Sequence, residues 1–161
     1  MENLVKEQKK TITIDRTFDI PLTTVWKAWT EAEGMEKWFS PEGYTTPSST
    51  IDFRVGGKYF SSMKSPEGKV TWSTGTYKEI IPFKKIVYSD SFADADGKIV
   101  PASYYGMPGE WDLELTVTVE FEEIDGKTHM KLQHEGLPIE AADDCVKGWQ
   151  SCLDKLERNF K

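Results

Sequence analysis

The chain has 161 residues and a formal net charge of −7; 38% of the residues are hydrophobic, 12% aromatic and 29% charged. That length suits one domain with a real core and is short for two. The negative field repels phosphate backbones and anionic head groups, which argues against nucleic acid and membrane surfaces as partners, and no apolar run of about 18 residues offers a membrane span.

The opening MENLVKEQKK lacks the apolar stretch of a signal peptide, so the expected location is the cytoplasm, with residues 1–9 flexible ahead of one domain covering the rest. Residues 11–20, TITIDRTFDI, alternate so that Ile12, Ile14, Arg16, Phe18 and Ile20 share one face of a half-buried strand, which Pro21 ends. Val25, Trp26 and Trp29 then fall on one helical face, with Thr23 or Thr24 as the expected N-cap. Gly34 reads as a break before a second short helix ending near Ser40-Pro41. Four strand signals follow, TIDFRV, GGKYFSSM, VTWSTGTYKEII and KIVYSDSF, punctuated by Gly56-Gly57, by SPEGK and by Pro82-Phe83-Lys84. Residues Ala93 to Glu110 are polar, contain Gly and Pro, and are too long for a tight hairpin; they read as a lid. Two more strands, LELTVTVEFEE and KTHMKLQHE, meet at the turn Asp125-Gly126, and from Ile139 to Phe160 apolar residues recur every three or four positions in a long amphipathic helix.

This order predicts an α+β fold: a curved antiparallel sheet of about six to seven strands around the C-terminal helix, with two short helices after the first strand. A strongly curved sheet cannot touch a straight helix along its whole length. A pocket between them is the expected consequence.

Within IDFRVGGKYF, Gly56-Gly57 lead into a strand rather than a helix, so a hairpin turn is a better reading than a phosphate-binding loop. Asp52 and Arg54, two apart, are expected to pair structurally beside it. Cys145 and Cys152 lie about 10 Å apart along a helix, beyond the roughly 7 Å reach of a disulfide, and are expected as free thiols. His129 and His134 are five apart on one strand and face opposite sides, so they cannot share a metal. His134 lies on the face of Met130 and Leu132, either as a hydrogen-bonded core histidine or as an acid–base group at a cavity wall. Arg16 shares an apolar face and needs a partner if buried, with Glu79, Asp90 and Glu135 as the acids considered.

The aromatics exceed what a minimal core requires. Trp38, Tyr59, Trp72, Tyr77, Tyr88 and Trp149 are candidates for the cavity wall together with His134, while Tyr104, Tyr105 and Met107 in the long loop are candidates to close over a guest. No cofactor and no metal are expected.

Several motifs in chain order carry a resemblance: Arg16 with Phe18-Asp19-Ile20-Pro21 and Val25-Trp26; Trp38-Phe39; Asp52-x-Arg54-x-Gly56-Gly57-x-Tyr59; Gly75-x-Tyr77-x-Glu79-Ile80-x-Pro82; and Gly148-Trp149 with Leu153 and Leu156. Together they resemble the activator of heat shock protein 90 ATPase homologue-like family of the SRPBCC superfamily, which includes START domains, polyketide cyclases and birch-pollen-allergen-like proteins. The resemblance implies a helix-grip fold whose cavity, in relatives, holds lipids, polyketides or other hydrophobic molecules. It implies no shared catalytic constellation. The leading expectation is therefore a domain that binds a small hydrophobic molecule, as a monomer or homodimer. The alternatives are an enzyme of the polyketide cyclase, dehydratase or hydrolase type working in the same cavity, and a chaperone-interacting module.

Overall fold

A computed structural model describes residues 9–161. Of the start expected to be flexible, only Lys9 lies within the described residues, and it opens the first strand. In chain order the elements are β1 (Lys9–Phe18), α1 (Leu22–Thr30), α2 (Ala32–Met35), β2 (Ser49–Ile51), β3 (Lys58–Lys64), β4 (Val70–Ile81), β5 (Lys85–Ala93), β6 (Leu115–Ile124), β7 (Lys127–Pro138) and α3 (Ile139–Phe160). The strands form one seven-stranded antiparallel sheet in the order β1-β7-β6-β5-β4-β3-β2. The predicted architecture is therefore the observed one.

The sheet bends where its pairing is irregular. The register shifts on β7 between His134 and Leu137, opposite Ile12 and Lys10 of β1, and on β4 between Tyr77 and Glu79, and bulges increase local twist. Beside the β4 bulge, a Cβ built on Gly75 would lie 1.7 Å from the Ser89 carbonyl oxygen and 2.6 Å from the Tyr59 ring. Only glycine lets the two backbones approach this closely.

Alternation sorts the side chains. Ile12, Ile14, Phe18, Val117, Val119, Met130 and Leu132 point inward and are almost fully buried. Helix α3 lays Leu153 and Leu156, both completely buried, against this surface. Arg16 fixes the helix from the side. Its guanidinium meets Asp154 at 2.7 Å, Glu157 at 3.0 Å and the Gln150 amide oxygen at 3.1 Å. The partners of Arg16 thus come from α3, and not from Glu79, Asp90 or Glu135, because β1 runs beneath the last turns of the helix. Glu79 instead meets Lys85 at 3.4 Å.

Three local expectations change. Helix α1 starts at Leu22 behind Pro21, with no side-chain cap from Thr23 or Thr24; proline already holds the extended backbone that an N-cap needs. The break between the short helices falls at Glu31, which is extended, and Gly34 sits inside α2. Of TIDFRV only residues up to Ile51 belong to β2, because the chain curls at Asp52 into the glycine turn. Gly56 has a φ of +87°, and a Cβ on Gly57 would lie 2.0 Å from the Asp52 carbonyl oxygen. Asp52 and Arg54 do pair, at 2.9 Å, from within this turn and exposed to solvent.

Candidate functional site

The interior between sheet and helix has two parts. Beneath α1 and α2 it is filled: Trp29, Met35, Phe39, Tyr59, Tyr77, Ile86 and Tyr88 leave a void of about 10 Å³. Beneath the first half of α3 and the 94–114 connection lies a cavity of about 470 Å³. Its walls differ in chemistry. Helix α3 supplies Cys145, Gly148, Trp149 and Cys152, and the loop and strand ends add Phe92, Met107 and Trp111. The sheet opposes them with hydroxyl groups on Ser61, Thr71 and Ser73 and with one carboxylate, Asp90.

The polar groups are connected. Trp149 Nε1 donates to His134 Nδ1 at 3.0 Å. An indole nitrogen can only donate, so Nδ1 must accept and the ring hydrogen sits on Nε2. That Nε2 lies 3.4 Å from Asp90 Oδ2, within ion-pair distance, yet it is buried and makes no aligned hydrogen bond. Proximity without alignment does not make a hydrogen bond. Tyr59 donates its hydroxyl to the other carboxylate oxygen, Oδ1, at 2.5 Å. Burial first, and then the Asp90 charge, push the Tyr59 phenol well above its ordinary range and keep it a donor. A general base needs its lone pair toward the substrate; in His134 that lone pair is covered by Trp149.

Neither thiol is activated. Burial, assisted by Asp90 and Asp144, pushes Cys145 up to about 11; burial outweighs the lowering effect of Lys155 and pushes Cys152 up to about 12. Both are protonated at neutral pH and behave as small apolar groups.

The sequence candidates divide accordingly. His134, Trp149, Tyr105 and Met107 line the large cavity. Tyr59, Tyr77 and Tyr88 line only the small void, although the Tyr59 hydroxyl reaches the larger site through Asp90. Trp38 is fully buried and donates to the Ala28 carbonyl at 2.8 Å, which makes it core rather than cavity wall. Trp72 stacks on Phe60 with centroids 4.6 Å apart. Both belong to the opposite face, since Tyr59 pairs with Gly75 and the inward positions of β4 are the odd-numbered ones. His129 is likewise on that opposite side, 3.2 Å from Asp15. Tyr104 is exposed and packs on Tyr105. Tyr105 closes one end of the cavity: its hydroxyl accepts from the Trp72 amide at 3.2 Å and donates to the Ala93 carbonyl, tying the loop to the ends of β4 and β5.

Asp90 is the functional candidate that sequence reasoning passed over. The signal was present, because Tyr88, Asp90 and Phe92 alternate onto one face of β5. In the sequence alone, Asp90 stands out only as an acid available to Arg16.

Among the described residues, no helix is long and apolar enough to cross a membrane, and no group of three or more His, Cys, Asp or Glu is placed to hold a metal ion.

A curved antiparallel sheet gripping a terminal helix, with a hollow between them, defines the class: a helix-grip domain of the SRPBCC type. Residues 19–161 match the family model described as Activator of Hsp90 ATPase homolog 1-like protein, and the chain belongs to that family. Among solved structures, one from Staphylococcus epidermidis is 28% identical, with 98% of this chain and 93% of that chain covered and a TM-score of 0.71. Another from Chromobacterium violaceum is 26% identical, with 93% and 96% covered and a TM-score of 0.75. The AHSA1 protein of Silicibacter pomeroyi, 22% identical with 93% and 96% covered and a TM-score of 0.73, shares the fold. A search of curated proteins returns no match.

Proposed function

We propose that the chain acts as one binding domain that holds a small, largely apolar molecule in the cavity beneath α3, in the cytoplasm, as a monomer or homodimer. The observation that carries this reading is the cavity of about 470 Å³, which falls in the size range of small-molecule sites and combines an apolar majority with a few convergent polar groups. The tyrosine and tryptophan ends of its wall suit a guest with one polar end. Acid–base catalysis through His134 is the weaker reading, because the Trp149 N–H occupies the nitrogen that would act as base.

Gly148 offers a clean test. It faces the cavity from α3, and a Cβ built on it meets nothing within 4 Å. Leucine there should narrow the hollow while relieving the helix of a glycine, a gain of up to about 1 kcal/mol. The wild-type protein is expected to bind the neutral fluorescent probe N-phenyl-1-naphthylamine saturably; Gly148→Leu should bind the probe more weakly and keep or raise its Tm. Absence of probe binding by the wild type, or undiminished binding by the folded variant, would overturn the reading.

A chaperone-interacting role rests on the family's description and has one exterior feature in its favour, the stacked Phe60–Trp72 pair on the outer face. Stoichiometric recovery of a chaperone with the wild type but not with Trp72→Ser would support it.

A further inference from the structure

The cavity has a polar end whose chemistry restricts the guest. Asp90 and Lys69 are the charged residues that line it. Lys69 is exposed, whereas the Asp90 side chain is 24% exposed and faces the hollow from the middle of the sheet. Among the described residues no lysine or arginine pairs with Asp90; its neighbours are the Tyr59 hydroxyl and His134 Nε2.

An ionised carboxylate accepts at about four lone-pair positions. Tyr59 occupies one. The His134 N–H lies close but misaligned, so it also lacks an acceptor although the residue is only 6% exposed. Both groups are held in place: Tyr59 is fixed within the packed end of the interior, and the Trp149 indole sets the tautomer and ring position of His134. A preorganised anion and an adjacent unpartnered donor therefore sit together in a space lined otherwise by apolar groups, hydroxyls and the solvent-exposed Lys69.

Resting on the cavity-binding reading, we propose that Asp90 selects guests carrying a protonated amine on an apolar ring body, with an oxygen next to the amine accepting from His134 Nε2–H. A carboxylate guest, including a fatty acid, is repelled at the same point. Outside the cavity, the net charge of −7 acts in the same direction, since it raises the local concentration of cationic guests.

Three probes with one ring body separate charge from shape: 2-naphthylmethylamine, 2-naphthalenemethanol and 2-naphthoate, titrated calorimetrically into the intact protein near neutral pH, with the Trp149 indole N–H followed by NMR. The amine should bind at least about tenfold more tightly than the alcohol, as expected for a charge-assisted over a neutral hydrogen bond, and the carboxylate most weakly. Asp90→Asn should bring amine and alcohol within about threefold of each other while alcohol binding persists. If that variant does not fold, the wild-type order together with a shift of the Trp149 resonance decides the question.

An amine no tighter than the alcohol, a preference for naphthoate, or an amine preference that survives in Asp90→Asn would overturn the inference. So would failure of all three probes to bind. The neutral probe N-phenyl-1-naphthylamine keeps the two readings separable: if it binds and the amine shows no preference, only the selectivity is wrong; if it does not bind, the cavity reading itself has failed.

Discussion

The two ends of the interior share one sheet and one helix but differ in what covers them. At the filled end, α1 and α2 press Trp29 and Met35 into the space beside Tyr59, Tyr77 and Tyr88, and Trp38, in the turn after α2, packs its ring 4.7 Å from that of Trp29. At the hollow end a loop takes the place of the helices, and its rings reach only the rim: Tyr105 packs 5.9 Å from Phe92, and Trp111 packs 5.6 Å from Phe92. Curvature makes the gap, and the covering element decides whether it becomes core or cavity. Trp149 is the boundary, stacked 6.0 Å from Trp29 on one side and bonded to His134 on the other. Packing outweighs hydrogen bonding at the filled end: Trp38 and Tyr59 find acceptors, but Trp29 Nε1 and the Tyr88 hydroxyl are buried there without partners.

Truncation should cost more at the filled end. Trp38→Ala removes a fully buried ring and its hydrogen bond, and should lose about 3–5 kcal/mol in urea unfolding. Met107→Ala, at the rim of the cavity, should lose less than about 1 kcal/mol because little packing surrounds it. Equal costs would break the comparison.

Alkaline pH probes the α3 wall of the hollow. Cys145 and Cys152 are raised in the folded state to about 11 and about 12, from an ordinary thiol value of 9.0. Groups raised in this way contribute stability that is complete below the unfolded value and is lost as pH climbs through the folded ones. The urea midpoint should therefore hold up to pH 9 and fall between about 9 and 12. At pH 8 a disulfide reagent should label Cys145 roughly a hundredfold more slowly than a free thiol, since the thiolate is correspondingly scarce.

At the boundary, Trp149→Phe keeps a ring but removes the indole donor, which should cost about 0.5–1.5 kcal/mol. In the wild type, nitrogen-detected NMR should find the neutral His134 proton on Nε2, and the variant should relax that preference. The smallest effect belongs to neither region: Asp52→Ala breaks an exposed pair in the glycine turn and should change stability by less than about 1 kcal/mol.

Much of this layout is legible in the sequence. The alternation of TITIDRTF, the Asp125-Gly126 turn, the glycines before β3 and the three-to-four spacing from Ile139 each identify an element, because a strand or helix with one buried face writes its period into the chain. Parity also separates His134 from His129. The same parity places Trp72 on the face opposite Tyr77, five residues away, which a count of large aromatics overlooks. Trp38 illustrates a different difficulty: nothing local distinguishes a tryptophan that plugs a core from one that lines a hollow.

The amino-acid order alone thus determined the elements, their inward faces and the presence of a gap, since periodicity and turn chemistry act over a few neighbouring residues. Tertiary structure decided where along that gap the chain fills itself, that Arg16 pairs with acids more than 130 positions away, and that Tyr59 and His134 meet at Asp90 with Trp149 bonded behind the histidine. Those outcomes depend on distances between elements remote in the chain, which are set only when the sheet bends and α3 settles against it.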